Sequence, residues 1–353
     1  MKKKKLLALL FVLQIIVVKL LSFFPEFTEC WYSNGIYPYI SGASRIIFGL
    51  FGFSVGDIVY AIIIFMGLRW LWQRRKTWRQ AYKYNLVTML ATLSIVYFLF
   101  NILWAFNYHR VPLHTKMDIE KKYTMEELTT FTKKLIVKTN ALQVSITKND
   151  TIKVVVPYNV NKIYSHSFTA YKTLSQQFPD FKYEHESVKS SLFSVPLSYM
   201  GFGGYLNPFT NEAQVNSELP LYNLPTTTCH EMAHQIGYAN ESEANFIGFM
   251  ASVKSNDPYF QYSGYSFALK YCMRTITKLD KKKAKSLAPL INKGILGNFE
   301  ESEQFNKKYQ SFVESIFKYI YDNYLKMNRQ KDGLETYSKF VGLMVNYYSD
   351  KEL

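Results

Sequence analysis

Two histidines and a glutamate in the second half of the chain have the spacing of a metal-dependent hydrolytic site. Residues 230–234 read His-Glu-Met-Ala-His, so the two histidines are four positions apart. In a helix, side chains at i and i+4 lie on one face, one turn apart, which allows both imidazoles to bind one zinc ion. Glu231 would stand beside them as the general base. The motif therefore predicts zinc-dependent hydrolysis, with His230 and His234 as ligands.

The residues around the motif favour a helix. Pro225 and the three threonines that follow it are typical of a helix start, and Gly237 is typical of a helix end. Residues 228–236 contain neither Gly nor Pro and predict about two helical turns. In an alternative interpretation, Thr228 and Glu231 form a capping box, with the histidines exposed to solvent. That alternative explains the glutamate but neither histidine.

A catalytic zinc site needs a third protein ligand, and two glutamates compete for this role. Asn240 has the position of an N-cap for a second helix, predicted over residues 241–250. Glu243 would be the third residue of that helix, where a capping-box carboxylate bonds the N-cap amide. Glu241 has no such structural role, and Asn245, four residues later, would be placed to orient the site. We therefore prefer Glu241 as the ligand and keep Glu243 as the alternative.

This pair of motifs resembles the gluzincin branch of zinc metallopeptidases. In that branch, the HExxH helix is followed by a helix that begins E-x-x-A-[D/N], here residues 241–245. The likeness covers mainly Thr226 to Phe249. It implies that the two histidines and a downstream glutamate bind zinc and that the enzyme hydrolyses peptide bonds.

More broadly, the chain resembles an uncharacterised family of bacterial membrane proteins. The shared features are apolar helices flanked by basic residues, a Pro-Phe-Thr-x-Glu-Ala stretch at Pro208 to Ala213, the HExxH motif and a Tyr-Ser-Gly-Tyr run at Tyr262 to Tyr265. This wider resemblance implies no particular activity.

Three apolar stretches predict membrane spans in the first third of the chain. They lie at about residues 6–24, 57–72 and 86–106, and each is long enough, or nearly so, to cross about 30 Å of hydrocarbon. The first would be a retained anchor rather than a signal peptide, because no small-x-small cleavage site precedes Pro25. Residues 107–353 would then form a separate domain.

The distribution of basic residues predicts the orientation in the membrane. Residues 1–85 hold 12 Lys or Arg against 3 Asp or Glu, which gives +9 of the net charge of +15. The basic residues cluster at the N-terminus and at Gln73 to Asn85, so both should face the cytoplasm. The domain over residues 107–353 should lie outside the inner membrane of the cell. Because the charge reports topology, we expect no nucleic-acid partner.

The predicted fold class is α+β: three transmembrane helices followed by a zincin-like domain, mostly helical, with a small sheet before the HExxH helix. A strand is also predicted at Ile152 to Val156. The strands of the small sheet are predicted at Ser190 to Val195, Tyr199 to Leu206 and Ala213 to Ser217. The zincin resemblance implies that an edge strand, at Gly201 to Asn207 or Ala213 to Ser217, pairs with the substrate backbone. The alternative is a hairpin that only covers the core.

The rest of the domain is predicted to be helical, over residues 259–279, 300–327 and 334–348. Tyr262 and Tyr265 are candidate donors to the developing oxyanion of a peptidase, with core packing as the alternative role. The apolar residues of 300–327 that show helical spacing (Phe312, Ile316, Phe317, Ile320, Tyr324) are predicted to pack in the core.

Together these observations predict a membrane-anchored zinc peptidase that acts on a peptide or protein and contacts the bilayer through its N-terminal helices. The main alternative is a catalytically inactive zinc-binding, sensing or scaffold domain. An intramembrane metalloprotease is disfavoured, because the polar residues flanking the motif do not suit a hydrocarbon environment.

Overall fold

The computed structural model describes residues 1–328 and 337–353, and its chain divides into two compact units. The first unit comprises Met1–Val111 together with Asn207–Glu212. The second comprises Pro112–Leu206 and Ala213–Leu353. The main division thus falls a few residues after the predicted boundary at residue 107, and a short loop from the second half of the sequence belongs to the first unit.

The first unit is helical. Its elements are α1 Lys2–Leu21, α2 Pro25–Phe27, a π-helical segment Thr28–Ile36, α3 Tyr37–Gly49, α4 Val55–Arg74, α5 Tyr82–Leu103 and a 3-10 turn Ala105–His109. Helices α4 and α5 are each long and apolar enough to cross a membrane. Helix α1 qualifies only together with the segment Pro25–Gly49, from which it is bent by 100°. Two or three spans are therefore possible. Helix α1 ends at Leu21, three residues before the end of the span predicted at about residues 6–24.

The loop Asn207–Glu212 is bonded within the first unit to the start of α4. The Glu212 carboxylate is fully buried and accepts hydrogen bonds from the amides of Val55 (3.2 Å) and Gly56 (2.5 Å). Thr210 donates a further hydrogen bond to this carboxylate. These are the unpaired amides of a helix N-terminus, which favours a negative charge. The Pro-Phe-Thr-x-Glu-Ala stretch therefore has a structural role as a helix cap.

The second unit is also mostly helical. Its helices are α6 Leu113–Lys116, α7 Met125–Thr147, α8 Val160–Gln177, α9 Ser194–Met200, α10 Leu224–Gln235, α11 Glu241–Val253, α12 Pro258–Leu279, α13 Lys281–Leu287, α14 Lys293–Tyr309, α15 Phe312–Met327 and α16 Tyr337–Tyr347, with 3-10 turns at Pro179–Phe181 and Ala288–Leu290. Its strands are β1 Val188–Ser190, β2 Gly204–Leu206 and β3 Ala213–Val215. The small sheet thus precedes the HExxH helix α10 in sequence, as predicted.

The three strands form one sheet in the order β1-β3-β2. Strand β3 is central, since it pairs in parallel with β1 and antiparallel with β2. The strand predicted at Ser190 to Val195 is wrong beyond Ser190, where the chain turns into α9. Pro196 is tolerated there because it lies in the first turn of that helix.

The strand predicted at Ile152 to Val156 is also wrong, although the segment is not helical. A single buried side chain replaces the neighbouring strand: Asn298 accepts from the Val154 amide and donates to the Val154 carbonyl, both at 3.0 Å. Because the backbone of Val154 is satisfied in this way, no second strand is required.

The C-terminal helices differ from their predictions in two respects. The helix predicted over 300–327 is two helices, α14 and α15, which are separated at Gln310. The predicted packing face of α15 is wrong in part, because Phe312 is 77% exposed and Ile320 is 54% exposed. The helix predicted over 334–348 is observed from Tyr337, and residues 334–336 lie outside the described part of the chain.

Candidate metal centre

The HExxH motif lies inside α10 and is held by hydrogen bonds from neighbouring segments. The helix begins at Leu224, with Pro225 in its first turn, where proline is favoured. Thr228 is therefore an interior residue, and the alternative capping box with Glu231 is wrong. The hydroxyl of Tyr171 donates to the Cys229 carbonyl at 2.7 Å, which fixes the helix beside the first histidine.

The two imidazoles face each other. The Nε2 atoms of His230 and His234 are 3.1 Å apart, and the rings are nearly perpendicular at 88°. Nδ1 of His234 lies 2.7 Å from the Tyr238 carbonyl oxygen. A carbonyl can only accept, so Nδ1 carries the proton and the lone pair of Nε2 faces the other ring. The sequence Gly237-Tyr238 after the helix thus orients a ligand.

Glu241, at the start of α11, completes a cluster of three ligand atoms. Its Oε2 lies 3.3 Å from Nε2 of His230, and its Oε1 lies 3.6 Å from Nε2 of His234. A tetrahedral ion with bonds of about 2.0–2.1 Å holds its ligand atoms about 3.3 Å apart. The separations observed here therefore fit a single small divalent ion.

The competing glutamate points elsewhere. Asn240 caps α11 by accepting hydrogen bonds from Ser242 and Glu243, as predicted. Oε1 of Glu243 accepts a hydrogen bond from the Leu113 amide at 2.8 Å. This contact gives Glu243 a structural role, and the structure places Glu241, rather than Glu243, against both rings.

The protonation states of the cluster suit a cation. Burial lowers the pKa of His234 to about 4, so this ring is neutral at neutral pH. Burial would raise the pKa of Glu241, but His234, His230 and the Tyr321 hydroxyl together lower that pKa to about 2. Burial lowers the pKa of His230, but Glu241, Glu231 and Asn245 outweigh it and raise that pKa overall. Metal ligands must be deprotonated, and two of the three already are.

Glu231 lies beside the cluster with spare hydrogen-bonding capacity. It is 4% exposed, and its Oε2 has no hydrogen-bond partner among the described residues. Burial raises the pKa of Glu231 to about 8, although the charge of His230 acts to lower this pKa. Candidate ligand atoms of His230, Glu231 and His234 lie within 4.8 Å of one another, so this group could hold a metal ion. An unpaired buried carboxyl with this pKa can exchange a proton near neutral pH.

Two glycines allow neighbouring elements to approach the site closely. A Cβ at Gly204 in β2 would lie 2.7 Å from Oε1 of Glu231. A Cβ at Gly248 in α11 would lie 2.8 Å from the backbone nitrogen of His230. Sequence reasoning did not assign either residue to the site, although an isolated glycine inside a helix or strand is a known signal of close backbone approach.

Tyr321 is the site residue that sequence reasoning missed entirely. Its hydroxyl donates to Oε1 of Glu241 at 2.6 Å, and its ring packs edge-on against Phe202. Burial and the Glu241 charge raise the pKa of this phenol well above its usual range. It lies 80 positions beyond Glu241 in the sequence, and no local motif marks it.

The two predicted oxyanion donors are core residues. The hydroxyl of Tyr262 is fully buried and donates to Oδ1 of Asn298 at 2.7 Å. Tyr265 is 4% exposed, and its ring packs edge-on against Phe249. These contacts correspond to the core-packing role that was the alternative for both tyrosines.

Comparison with known proteins identifies a family without giving an activity. No curated protein and no solved structure matches the chain. One family model, described as "Protein of unknown function (DUF3810)", matches residues 32–345. The match includes both long apolar helices α4 and α5, the sheet, and all residues of the candidate metal centre. Because it covers most of the sequence, the chain belongs to the DUF3810 family.

Proposed function

We propose that this protein is a zinc-dependent peptidase that its N-terminal helices anchor in a membrane. The observation that carries the proposal is the convergence of His230, His234 and Glu241, with ligand atoms 3.1–3.6 Å apart. Two nitrogens and one carboxylate, with room for a water, are typical of catalytic rather than structural zinc sites. The sequence likeness to gluzincins over Thr226 to Phe249 supports the same conclusion.

Glu231 and Tyr321 have separate roles in the proposed reaction. When bound, zinc supplies Lewis acidity, which lowers the pKa of a water molecule and polarises a carbonyl group. Glu231 accepts the proton of the attacking water and later delivers it to the leaving nitrogen. Tyr321 holds Glu241 through its hydroxyl and so fixes the third ligand.

The sheet offers one place for an extended substrate next to this base. Strand β3 is paired on both sides, so the segment Ala213 to Ser217 cannot accept another strand. Strand β2 is an edge, and the α-carbon of Gly204 in this strand lies against the Glu231 carboxylate. A peptide added to β2 would gain backbone hydrogen bonds and pass beside the base.

The proposed location follows from charge. Basic residues flank the apolar helices at the N-terminus and in the loop between α4 and α5. Under the positive-inside rule, the second unit then lies on the extracytoplasmic side of the inner membrane. Peptides and proteins of that compartment would be the substrates.

Zinc content tests the site directly. We expect the purified full-length protein in detergent to carry one zinc ion per chain by elemental mass spectrometry. His230→Ala and Glu241→Ala should abolish zinc binding, whereas the matched variant Glu243→Ala should retain it. Retention of zinc by Glu241→Ala together with loss of zinc by Glu243→Ala would contradict the ligand assignment.

Turnover tests the catalytic role. Wild type should cleave members of a fluorogenic peptide library, and Glu231→Gln should keep zinc while its kcat falls by at least about 100-fold, a typical general-base contribution. Equal cleavage by both proteins would rule out Glu231 as the base. Bound zinc without cleavage of any peptide would instead support a sensing or scaffold domain.

A further inference from the structure

A cavity of about 190 Å³ in the second unit lies one helical turn from the proposed base. Thr227 and Gly203 line it. Thr227 precedes Glu231 by four residues on α10, and side chains with this spacing are about 5–6 Å apart. Gly203 directly precedes Gly204, whose α-carbon lies against the Glu231 carboxylate. A substrate bound at the base could therefore extend one of its side chains into the cavity.

Two cationic side chains line the same cavity. Lys270 and Arg274 are i and i+4 on α12, so they lie on one face of that helix. Within residues 1–328 and 337–353, neither side chain forms an ion pair. The Lys270 ammonium group lies 5.6 Å from the centre of the Phe299 ring. Burial and the charge of Arg274 lower the pKa of Lys270 to about 8, and Glu303 offsets only part of this. The cavity therefore has an excess of positive charge.

Three of the other polar residues that line the cavity are bonded to one another. The side chains of Tyr222 and Asn223 both contact Oγ of Ser302, at 2.5 and 2.9 Å. The remaining wall is largely aromatic, from Phe267, Phe299 and Phe305. The cavity also lies at the N-terminal end of α10, where the helix dipole favours an anion. Lys270 and Arg274 are the charged residues that line the cavity, so an anionic ligand would be recognised mainly by them.

We propose that this cavity is a substrate subsite that binds a carboxylate of the peptide close to the bond that is cleaved. The inference rests on the proposed peptidase function and gives it a substrate class, peptides with an acidic residue or a free C-terminus next to the scissile bond. Arg274 supplies a guanidinium fork for a carboxylate, and Lys270 supplies a partly desolvated ammonium. The aromatic wall packs against the methylene groups of the ligand.

Binding to the inactive variant tests the subsite without relying on turnover. The probes are hexapeptides in which one Glu is moved through an alanine background, each paired with the matched Gln peptide. A second set compares a free with an amidated C-terminus and so separates the two sources of a carboxylate. We expect full-length Glu231→Gln protein to bind at least one acidic peptide about tenfold more tightly than its neutral partner, as a charge-assisted hydrogen bond allows.

The same measurement is made in the double variant Lys270→Met/Arg274→Met, combined with Glu231→Gln. The ratio of the Kd values of the matched Gln and Glu peptides should fall to near one. Unchanged zinc content and an unchanged thermal unfolding midpoint would show that the fold is kept. Lys278→Met, an exposed lysine of the same helix, should retain the preference. The proposal would be overturned if Glu231→Gln protein showed no preference for acidic peptides. It would also be overturned if that preference were equal with and without the Lys270→Met/Arg274→Met substitutions.

The two proposals fail in different ways. Selective binding of acidic peptides without cleavage by the wild type would contradict the peptidase function and support the carboxylate subsite. Cleavage of neutral and acidic peptides with equal kcat/KM, together with equal binding, would support the peptidase function and contradict the subsite.

Discussion

The Tyr321 hydroxyl donates a 2.6 Å hydrogen bond to Oε1 of Glu241, and this contact joins α15 to the candidate metal centre. The Tyr321 hydroxyl thereby holds Glu241, whose other carboxylate oxygen lies 3.3 Å from Nε2 of His230. The carboxylate is fixed before any cation arrives, so little ordering is needed when a metal binds. The contact also explains why a helix with an exposed apolar face is kept against the site.

Removal of this hydrogen bond should weaken metal binding without removing a ligand. We expect Tyr321→Phe to lower zinc affinity by about 10-fold or more, the usual effect of losing a hydrogen bond to a metal ligand. Competition with a chromophoric zinc chelator at pH 7 gives the affinity. Tyr319→Phe is the matched control, because Tyr319 is 73% exposed on the same helix. Equal affinity in the two variants would contradict this role.

The close approach of α11 to α10 should make Gly248 intolerant of a side chain. In Gly248→Ala, the new methyl group would lie 2.8 Å from the backbone nitrogen of His230. Helix α11 must therefore move away from α10, and Glu241 moves with it. We expect a loss of about 1–3 kcal/mol in the free energy of unfolding, as in other overpacked cores, and weaker zinc binding.

Gly297→Ala is a control for the intrinsic effect of the substitution in a helix. A Cβ at Gly297 would meet its nearest neighbour, Cβ of Lys153, at an ordinary 3.4 Å. This variant should be neutral or more stable by up to about 1 kcal/mol, because alanine has the higher helix propensity. Chemical denaturation measures both variants, and similar destabilisation of the two would contradict the packing explanation.

A side chain added at Gly204 in strand β2 should lower turnover but leave zinc binding unchanged. In Gly204→Ala, the added methyl group would lie 2.7 Å from Oε1 of Glu231 and 2.7 Å from the Gln214 carbonyl oxygen. We expect kcat to fall at least about tenfold, since the base is displaced, while zinc content stays at the wild-type value. The prediction fails if the variant loses its zinc or keeps its full kcat.

Binding of acidic peptides should depend on pH through Lys270. The pKa of this ammonium group is lowered to about 8 in the free protein. A bound carboxylate stabilises the charged form, so affinity should be full below pH 8 and should fall as the pH rises through 8. The ratio of Kd values for the matched Glu and Gln peptides, measured at pH 7 and 9 on Glu231→Gln protein, isolates this effect. The ratio should not change with pH in the Lys270→Met background.

Features specified by neighbouring residues were predictable from the sequence. The capping box of Thr124 and Glu127 and the Asn240 cap are formed by residues within three positions of each other. The HExxH histidines share a face because of helical periodicity alone. For these features, knowledge of the rest of the chain was not needed.

Features that depend on distant contacts were not predictable. Tyr321 reaches Glu241 from 80 positions away, and nothing in its local sequence distinguishes it from the other tyrosines. The segment Ile152 to Val156 has the composition of a strand, but the side chain of Asn298 satisfies its backbone. The break between α14 and α15 occurs without a Gly or Pro to mark it.

The loop Asn207–Glu212 makes the second unit discontinuous in the sequence. The chain leaves the second unit after Leu206 and re-enters it at Ala213, so the turn of the β2-β3 hairpin belongs to the first unit. A protein shortened to residues 107–353 would retain the carboxylate of Glu212 but lose the Val55 and Gly56 amides that it caps. The turn would lose these two hydrogen bonds, and a hydrogen bond to a charged group contributes about 1.5–3 kcal/mol. We therefore expect a fragment of residues 107–353 to have a less ordered β2-β3 turn than the full-length chain has.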